Sequence, residues 1–189
     1  MKRKFLFPFC LVLFFLAFSL QAQTWRQFTK ADGLPSDTFY TMISDRKGNV
    51  WVGMPRAISR INGGLVNDTS FDHLAQTGVR FLMESSDGSV WVPTRPALYR
   101  YGQNLEPQVF SELRWQWIYT MLESENGTIW CTSLGLYNDK NLYKFDGQIW
   151  QWVDSIEFTV SRMIGDSAGN LWLIFFHLGP TGRCHHQGL

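Results

Sequence analysis

Asp45-Arg46-Lys47-Gly48-Asn49-Val50-Trp51 is the stretch that decides the fold, because its pattern occurs four times along the chain. Each copy has Asp or Ser, a glycine three residues later and a tryptophan three residues after the glycine, with an aliphatic residue before the tryptophan. The glycine and tryptophan pairs are Gly48 and Trp51, Gly88 and Trp91, Gly127 and Trp130, and Gly169 and Trp172. Successive tryptophans are 40, 39 and 42 residues apart, so the unit is repeated four times.

The physics of the unit predicts strands joined by tight turns. An Asp or Ser followed three residues later by glycine is typical of a type I turn, and glycine suits the left-handed position that closes it. Apolar pairs such as Met42-Ile43 lie eight and nine residues before each tryptophan and predict one strand before the turn, with the tryptophan on the next. Further strands are predicted in three copies at residues 58–61, 98–101, 142–145, 109–110 and 149–153. Four short strands per unit, apolar on both faces, predict an all-β fold, a β-propeller.

The fourth copy departs from the pattern. Only 17 residues follow Trp172, and Thr181 and Gly182 stand where a third strand would begin. We therefore expect repeats over residues 23–176, an irregular tail over 177–189, and about four blades with the fourth truncated. This is the expected pattern for a fragment of a larger propeller. Residues 25–28 resemble an outer blade strand, and are a candidate to complete the last blade.

The first 22 residues read as a secretory signal peptide. Lys2, Arg3 and Lys4 precede an uncharged apolar run, and Ala22 supplies a small residue for cleavage before Gln23. The alternative is an uncleaved N-terminal anchor, although the apolar run is shorter than the roughly 20 residues of a bilayer span. We expect a periplasmic or secreted protein.

The composition of the remaining 167 residues fits one ordinary domain. Without the three basic residues of the leader, 14 basic residues face 16 acidic ones, a net charge of −2. That balance disfavours a nucleic-acid partner, which requires a basic face. Cys131 follows a tryptophan in an apolar run and is expected to be a buried free thiol.

The residues of the first copy resemble a known family. The segments Asp32-Gly33-Leu34-Pro35-Ser36 and Asp45 to Gly53 are similar to two-component regulator propeller repeats, and Asp166 to Leu173 repeats the second segment. The resemblance implies the periplasmic sensor region of a hybrid histidine kinase. It also implies further blades, a membrane helix and a kinase module, none of which the sequence contains. Loop positions such as Pro93-Thr94 depart from the family pattern.

No residue set predicts catalysis, a cofactor or a metal. Asp45, Asp87 and Asp166 lie near turns and are interpreted as turn-capping carboxylates, and their spacing is not that of a calcium loop. Asn126 is likewise interpreted as a turn residue. Cys184-His185-His186 are three adjacent residues near the chain end, a poor basis for a closed metal site.

Four residues are weak candidates for ligand binding. Arg56 and Arg95 follow their tryptophans by five and four residues, so one rim of the propeller could present two cations to an anionic ligand. Trp115 and Trp117 could stack on a sugar ring, although inter-blade core is the more ordinary role for such residues.

Three functions fit these observations. The favoured one is an extracytoplasmic sensor propeller that binds a small molecule or glycan where loops converge, as the N-terminal part of a two-component signalling sensor. The second is a secreted carbohydrate-active lyase or glycosidase, which would need a convergent catalytic set. The third is a protein-interaction scaffold. The fold alone does not choose among them.

Overall fold

The computed structural model describes residues 25–69, 78–95, 97–102, 106–113, 116–135, 137–175, 177–178 and 184–185. The predicted signal peptide lies outside these ranges. The described residues contain β-strands and one short 3-10 turn, Lys30–Asp32, which confirms the all-β prediction. No helix in the described part of the chain has the length and apolar character to cross a membrane.

Each of the first three repeats forms a four-stranded antiparallel sheet in which neighbours in sequence are neighbours in space. The first sheet contains β1 (Thr41–Ser44), β2 (Val50–Gly53), β3 (Ile58–Asn62) and β4 (Leu65–Thr69). The second contains β5 (Met83–Glu84), β6 (Val90–Pro93), β7 (Leu98–Tyr101) and β8 (Pro107–Phe110). The third contains β9 (Trp117–Glu123), β10 (Ile129–Leu134), β11 (Lys140–Phe145) and β12 (Trp150–Ser155). These sheets are propeller blades, as the repeat predicts.

The fourth repeat has two paired strands among the described residues, β13 (Val160–Gly165) and β14 (Leu171–Phe175). Two further strands, β15 (His177–Leu178) and β16 (Cys184–His185), pair with each other and do not join that sheet. The interval expected to be irregular therefore contains a short hairpin. Strand β4 is the one element of the first three sheets that the sequence analysis did not anticipate.

The repeated turn is closed by the same hydrogen bonds in every copy. The Gly48 N–H donates to the Asp45 carbonyl at 2.9 Å, and the equivalent bonds in the other copies measure 2.8 to 3.0 Å. The four turn glycines have φ between +77° and +86°, the left-handed region in which a Cβ is unfavourable. The type I turn followed by a left-handed glycine is thus the local reason for the fixed glycine position.

The tryptophans of the first two repeats point toward the next blade. The Trp91 ring centroid lies 5.3 Å from Phe110, 5.2 Å from Phe145 and 5.7 Å from Trp150, and the last two belong to the third sheet. Trp51 packs in the same way against Tyr101 of the second sheet, at 5.9 Å. The core of the protein therefore lies between blades, which explains why blade strands are apolar on both faces.

Glutamates at the ends of first strands join consecutive blades at the turns. Glu84 accepts hydrogen bonds from the Arg46 N–H at 3.0 and 3.2 Å, and the Arg46 guanidinium donates to the Ser86 carbonyl at 2.6 Å. Glu123, one repeat later, accepts from the N–H and hydroxyl of Ser86. Gly165 occupies the equivalent position of the fourth repeat, and a glycine has no carboxylate to make this bond.

The segment before the first blade covers the face of that blade that points away from the second. Phe28 and Leu34 pack with Val52, Met54 and Ile61. Phe110 and Leu113, which precede the third sheet in sequence, pack against that sheet in the equivalent positions. Residues 25–29 form no strand, and Trp25 is 95% exposed, so completion of a last blade by residues 25–28 stays a prediction.

Candidate functional site

The strand register separates two ends of each blade. Thr41 of β1 pairs with Gly53 of β2, which pairs with Ile58 of β3, so the start of the first strand lies beside the β2–β3 connection. We call this end the rim, and the opposite end, with the repeated turns, the turn end. The first strands of neighbouring blades converge, since β9 and β13 lie against each other. Side chains at the starts of first strands therefore meet where a propeller places its central face.

A small, open depression, with about 40 Å³ of space accessible to water, lies at the rim between the second and third blades. We call it the rim depression. Its described lining contains two arginines, an indole, and otherwise neutral residues, with no carboxylate: Gly78, Arg80, Phe81, Pro93, Thr94, Arg95, Gln116, Trp117 and Ile118. The depression is therefore both cationic and aromatic.

Both arginines lie over aromatic rings. The Arg95 Cζ is 5.1 Å from the Trp117 ring centroid, and the Arg80 Cζ is 4.4 Å from the Tyr40 ring centroid. These distances are within the range of cation–π attraction, which orients a guanidinium without using its N–H groups. The rings remain accessible, with Trp117 38% and Tyr40 42% exposed.

A glycine allows the chain to reach this position. Gly78 has φ +71°, and a Cβ there would approach the Tyr40 ring to 2.7 Å and the Pro55 carbonyl oxygen to 2.9 Å. The following N–H, that of Val79, donates to the Met54 carbonyl at 2.9 Å. The chain thus enters the second blade tightly against the first, and this fixes the approach of Arg80 to Tyr40.

A hydrogen-bonded glutamine supports the other side of the depression. The Gln116 amide donates to the Tyr143 hydroxyl at 2.8 Å, and the Ser133 hydroxyl donates to the Gln116 side-chain oxygen. Burial is the main cause that raises the pKa of Tyr143, so its hydroxyl is neutral at physiological pH. This network positions the residue directly before Trp117.

A second depression lies at the turn end, and it does not combine accessible groups in the same way. Its charged residues are already engaged: Arg100 pairs with Asp87, Glu123 with Ser86, and Asp146 with the Gln148 and Ile149 N–H groups at 2.9 Å. The backbone bonds from Ile149 and Gln148 lower the pKa of Asp146. These carboxylates stabilise turns.

The aspartates interpreted as turn caps have that geometry. Asp45 accepts from the Asn49 N–H at 2.8 Å and from the Trp51 indole N–H at 2.9 Å. Asp166 accepts from the Trp172 indole at the same distance. In the second copy the Trp91 indole donates to the Ser85 hydroxyl, at 3.0 Å, and Ser85 donates to Asp87. The bond between turn and tryptophan was not anticipated from the sequence.

The remaining predicted residues can be placed as follows. Cys131 is a buried free thiol, as predicted, and burial raises its pKa. Asn126 accepts from the Thr128 N–H at 3.0 Å within its turn. No group of three or more His, Cys, Asp or Glu side chains in the described ranges is arranged to hold a metal ion.

The structure brings two of the four ligand candidates together, Arg95 and Trp117. Arg56 is exposed on the β2–β3 connection and does not line the rim depression. Trp115 lies outside the described residues. The sequence analysis missed Arg80 and Tyr40, although each stands eleven residues before its repeat tryptophan, and that shared offset was a usable signal.

Residues 33–56 match the family described as two component regulator propeller. The chain carries a two-component regulator propeller repeat. The match covers Gly33 to Ser36 and the first turn and tryptophan, the segments that carry the resemblance in the sequence. No curated protein matches the chain.

Solved structures share the propeller fold of this repeat protein. The extracellular domain of a hybrid two-component system from B. thetaiotaomicron is 19% identical with a TM-score of 0.64, over 78% of this chain and 21% of that one. A catalytically inactive virginiamycin B lyase from Staphylococcus aureus, solved with quinupristin, is 20% identical with a TM-score of 0.57, over 80% and 55%. PorZ, a surface component of the type-IX secretion system of Porphyromonas gingivalis, is 16% identical with a TM-score of 0.56, over 71% and 23%.

These likenesses establish the fold. The chain spans about a fifth of the length of the two-component extracellular domain that it resembles.

Proposed function

We propose that this chain is an extracytoplasmic ligand-binding propeller, the N-terminal part of a two-component signalling sensor. The observation that carries the proposal is the rim depression, where Arg95 and Trp117 meet within 5.1 Å beside Arg80 at converging first strands. Loops that converge over a rigid scaffold are the usual position of a propeller ligand. The ligand class is a small molecule or a glycan.

Ligand binding would act by population shift. A ligand that contacts residues of two blades favours the arrangement in which those blades are correctly placed, and it shifts the equilibrium by its difference in affinity for the two states. A kinase module attached downstream would respond to that arrangement. The rim depression spans the second and third blades and meets this requirement.

Exposure of the last repeat tryptophan supports further blades in the functional protein. Trp51 and Trp91 are 3% and 0% exposed because the next blade covers them, whereas Trp172 is 44% exposed. Ile164 on the same sheet is also exposed. We propose that another blade of the same design covers this face. Sequencing the DNA downstream tests this: further glycine-aliphatic-tryptophan units in some frame support it, and an intergenic region together with a soluble, cooperatively folding monomer contradicts it.

Export is tested at the N-terminus. Mass spectrometry of the exported protein is expected to find a chain that begins near Gln23, because the leader has a basic start, an apolar run and a small residue at its end. Intact Met1 on a membrane-bound species would favour the anchor instead.

Ligand binding is tested on the mature chain with a panel of neutral and charged oligosaccharides and small organic acids, by isothermal titration calorimetry. We expect at least one probe to bind, and Trp117→Ala to weaken it about fivefold or more, since stacking on an accessible ring contributes about 1 kcal/mol or more. Lys47→Ala is the matched control, because Lys47 is exposed at the turn end. Equal losses in both variants would contradict a rim site.

A further inference from the structure

We infer that two copies of this chain associate head to tail through an open blade junction, in which the fourth blade of one copy packs against the first blade of the other. The front surface of this junction consists of Ile164 and Trp172 on the fourth blade. The back surface consists of Met42 and Ser44 on strand β1. The inference goes beyond the proposed ligand-binding function. In a longer sensor chain the next blade would occupy the front surface, whereas in this chain the first blade of a second copy occupies it.

The three junctions inside the chain show what each surface contacts. In every blade the repeat tryptophan pairs across the sheet with the apolar residue eight positions earlier, so these two side chains share one face. The residue nine positions before the next tryptophan packs on that face from the neighbouring blade. These contacts join Trp51 with Leu82, Trp91 with Met121, and Trp130 with Met163. A junction therefore consists of a tryptophan face on one blade and this apolar residue on the next.

Both halves of one more junction are present and exposed. Ile164 pairs with Trp172, and their side chains are 43% and 44% exposed. Met42, nine positions before Trp51, is 59% exposed, whereas its equivalents in the other three blades are 5–6% exposed. The two halves therefore do not meet within one molecule, and a second copy brings them together.

The open part of the first blade matches what the fourth blade offers. Phe28 and Leu34 already pack on the same face over Val52 and Ile61 of strands β2 and β3, and they leave the first strand open at Met42. Among the described residues, the fourth repeat presents two paired inner strands, β13 and β14. An inner half-blade can therefore dock beside the segment that carries Phe28 and Leu34 without displacing it.

The polar contact at the turn end also has both of its partners. Inside the chain, the N–H of the second turn residue donates to the last residue of the next blade's first strand, as the Arg46 N–H donates to Glu84 at 3.0 Å. At the open junction the equivalent donor is the Ser167 N–H, and the equivalent acceptor position is Ser44, which is exposed. A hydroxyl oxygen accepts this bond, although more weakly than a carboxylate does.

These contacts favour a closed dimer. Each copy has one front and one back surface, and such head-to-tail contacts form a ring if they close and a filament if they do not. Four blades from each of two copies give a ring within the known range of 4 to 8 blades. Both surfaces of both copies are then buried.

Analytical ultracentrifugation of residues 23–189, from about 1 μM to about 1 mM, tests the association. We expect a monomer–dimer equilibrium, and we expect Trp172→Ala and Met42→Glu each to raise the dissociation constant about tenfold or more, because a buried aromatic anchor is lost or a charge is buried. Trp152→Ala and Val109→Glu are the matched controls, since both residues are exposed on fourth strands of other blades. A monomer at every concentration would overturn the inference and leave the ligand-binding proposal, which calorimetry tests, standing.

A mixture of the two variants tests the head-to-tail arrangement. Trp172→Ala retains an intact back surface and Met42→Glu an intact front surface, so a mixed dimer keeps one complete junction. With one variant carrying a fluorescent label, we expect the mixed dimer to be tighter than either variant's own dimer. A dimer that is lost in Trp172→Ala but unchanged in Met42→Glu would join two front surfaces and would overturn the inference.

Ser44→Glu tests the register of the junction by a gain. A glutamate there would accept from the Ser167 N–H as Glu84 accepts from Arg46, so we expect the dissociation constant to fall about threefold or more. No gain in this variant would contradict a contact built like the junctions inside the chain.

Discussion

Replacing Asp45 with alanine measures what the bond between turn and tryptophan contributes to the blade. The Asp45 carboxylate accepts four hydrogen bonds, from the Lys47 and Asn49 N–H groups at 3.0 and 2.8 Å, the Asn49 side-chain amide at 2.7 Å and the Trp51 indole at 2.9 Å. Burial raises the pKa of Asp45, but these four bonds outweigh it and the net pKa is lowered. The ionised carboxylate is therefore the form that stabilises the turn.

The expected cost follows from the burial of Trp51. Hydrogen bonds to a charged group contribute about 1.5–3 kcal/mol, and a buried donor left without an acceptor costs about 1–3 kcal/mol. Trp51 is 3% exposed, so its indole N–H loses its acceptor in a largely buried position. We expect Asp45→Ala to lower the free energy of unfolding by about 2–4 kcal/mol.

The fourth repeat supplies the matched control. Asp166 makes the same bonds, including the one from the Trp172 indole at 2.9 Å, but Trp172 is largely exposed. Water can take the place of the carboxylate there, so Asp166→Ala is expected to shift the urea midpoint much less. Asp45→Ser is expected to recover part of the loss, because Ser85 accepts the indole N–H in the second repeat.

Urea unfolding of residues 23–189, followed by tryptophan fluorescence and circular dichroism, compares the three variants at unchanged slope. Equal midpoint shifts for Asp45→Ala and Asp166→Ala would refute the reasoning, since burial of the tryptophan would then not determine the cost. An unchanged midpoint in Asp45→Ala would show that the indole bond does not stabilise the blade.

Three further predictions concern the turns and their pH dependence. Gly88→Val is expected to lower the free energy of unfolding by more than about 1 kcal/mol through the positive φ alone, since a Cβ there meets no atom within 4 Å. Gly88→Asn should be tolerated better, and equal urea midpoints for the two variants would argue against a left-handed turn. Gly165→Gln is expected to raise the urea midpoint, because a Cβ at this position makes only contacts of 3.6 Å or longer. The added amide oxygen can then accept from the Glu125 N–H, as Glu123 accepts from the Ser86 N–H. No gain would mean that these inter-blade hydrogen bonds do not contribute to the free energy of unfolding. Burial raises the pKa of Asp87, but hydrogen bonds from Ser85, Ser89 and Arg100 outweigh that effect and lower the pKa from 3.8 to about 2. The stability that the ionised carboxylate contributes is therefore present above about pH 4 and is lost as the pH falls toward 2. The urea midpoint should fall less over that range in Asp87→Asn than in the wild type, and parallel curves would show that Asp87 does not cause the pH dependence.

The fold could be predicted from the sequence because the same physical constraints recur in each repeat. A left-handed turn needs glycine, and a blade buried on both faces needs apolar residues without alternation, so Gly48 and Trp51 and their equivalents mark turn and strand directly. Strand β4 was missed because Leu65–Thr69 contains three polar residues and lies at the sheet edge, where burial imposes less pattern.

The candidate site was predictable only in part. Arg95 and Trp117 were chosen for their chemistry, and the structure brings them together. Arg80 lines the same depression, stacked on Tyr40 of the preceding repeat. Such contacts join residues about 40 positions apart in sequence, as Arg46 and Glu84 also are. The shared offset before the repeat tryptophan marks Tyr40 and Arg80 as equivalent positions. It does not show that their side chains meet, because that contact depends on how consecutive blades pack.

The measurement that tests the central claim most directly is a nuclear magnetic resonance titration of the tryptophan indole N–H signals. Trp117 reports on the rim, whereas Trp51 and Trp91 donate their indole N–H to Asp45 and Ser85 at the turn end. A bound probe is expected to shift the Trp117 signal and leave those of Trp51 and Trp91 in place. Shifts confined to Trp51 and Trp91, with the Trp117 signal unchanged at saturation, would contradict a ligand site at the rim.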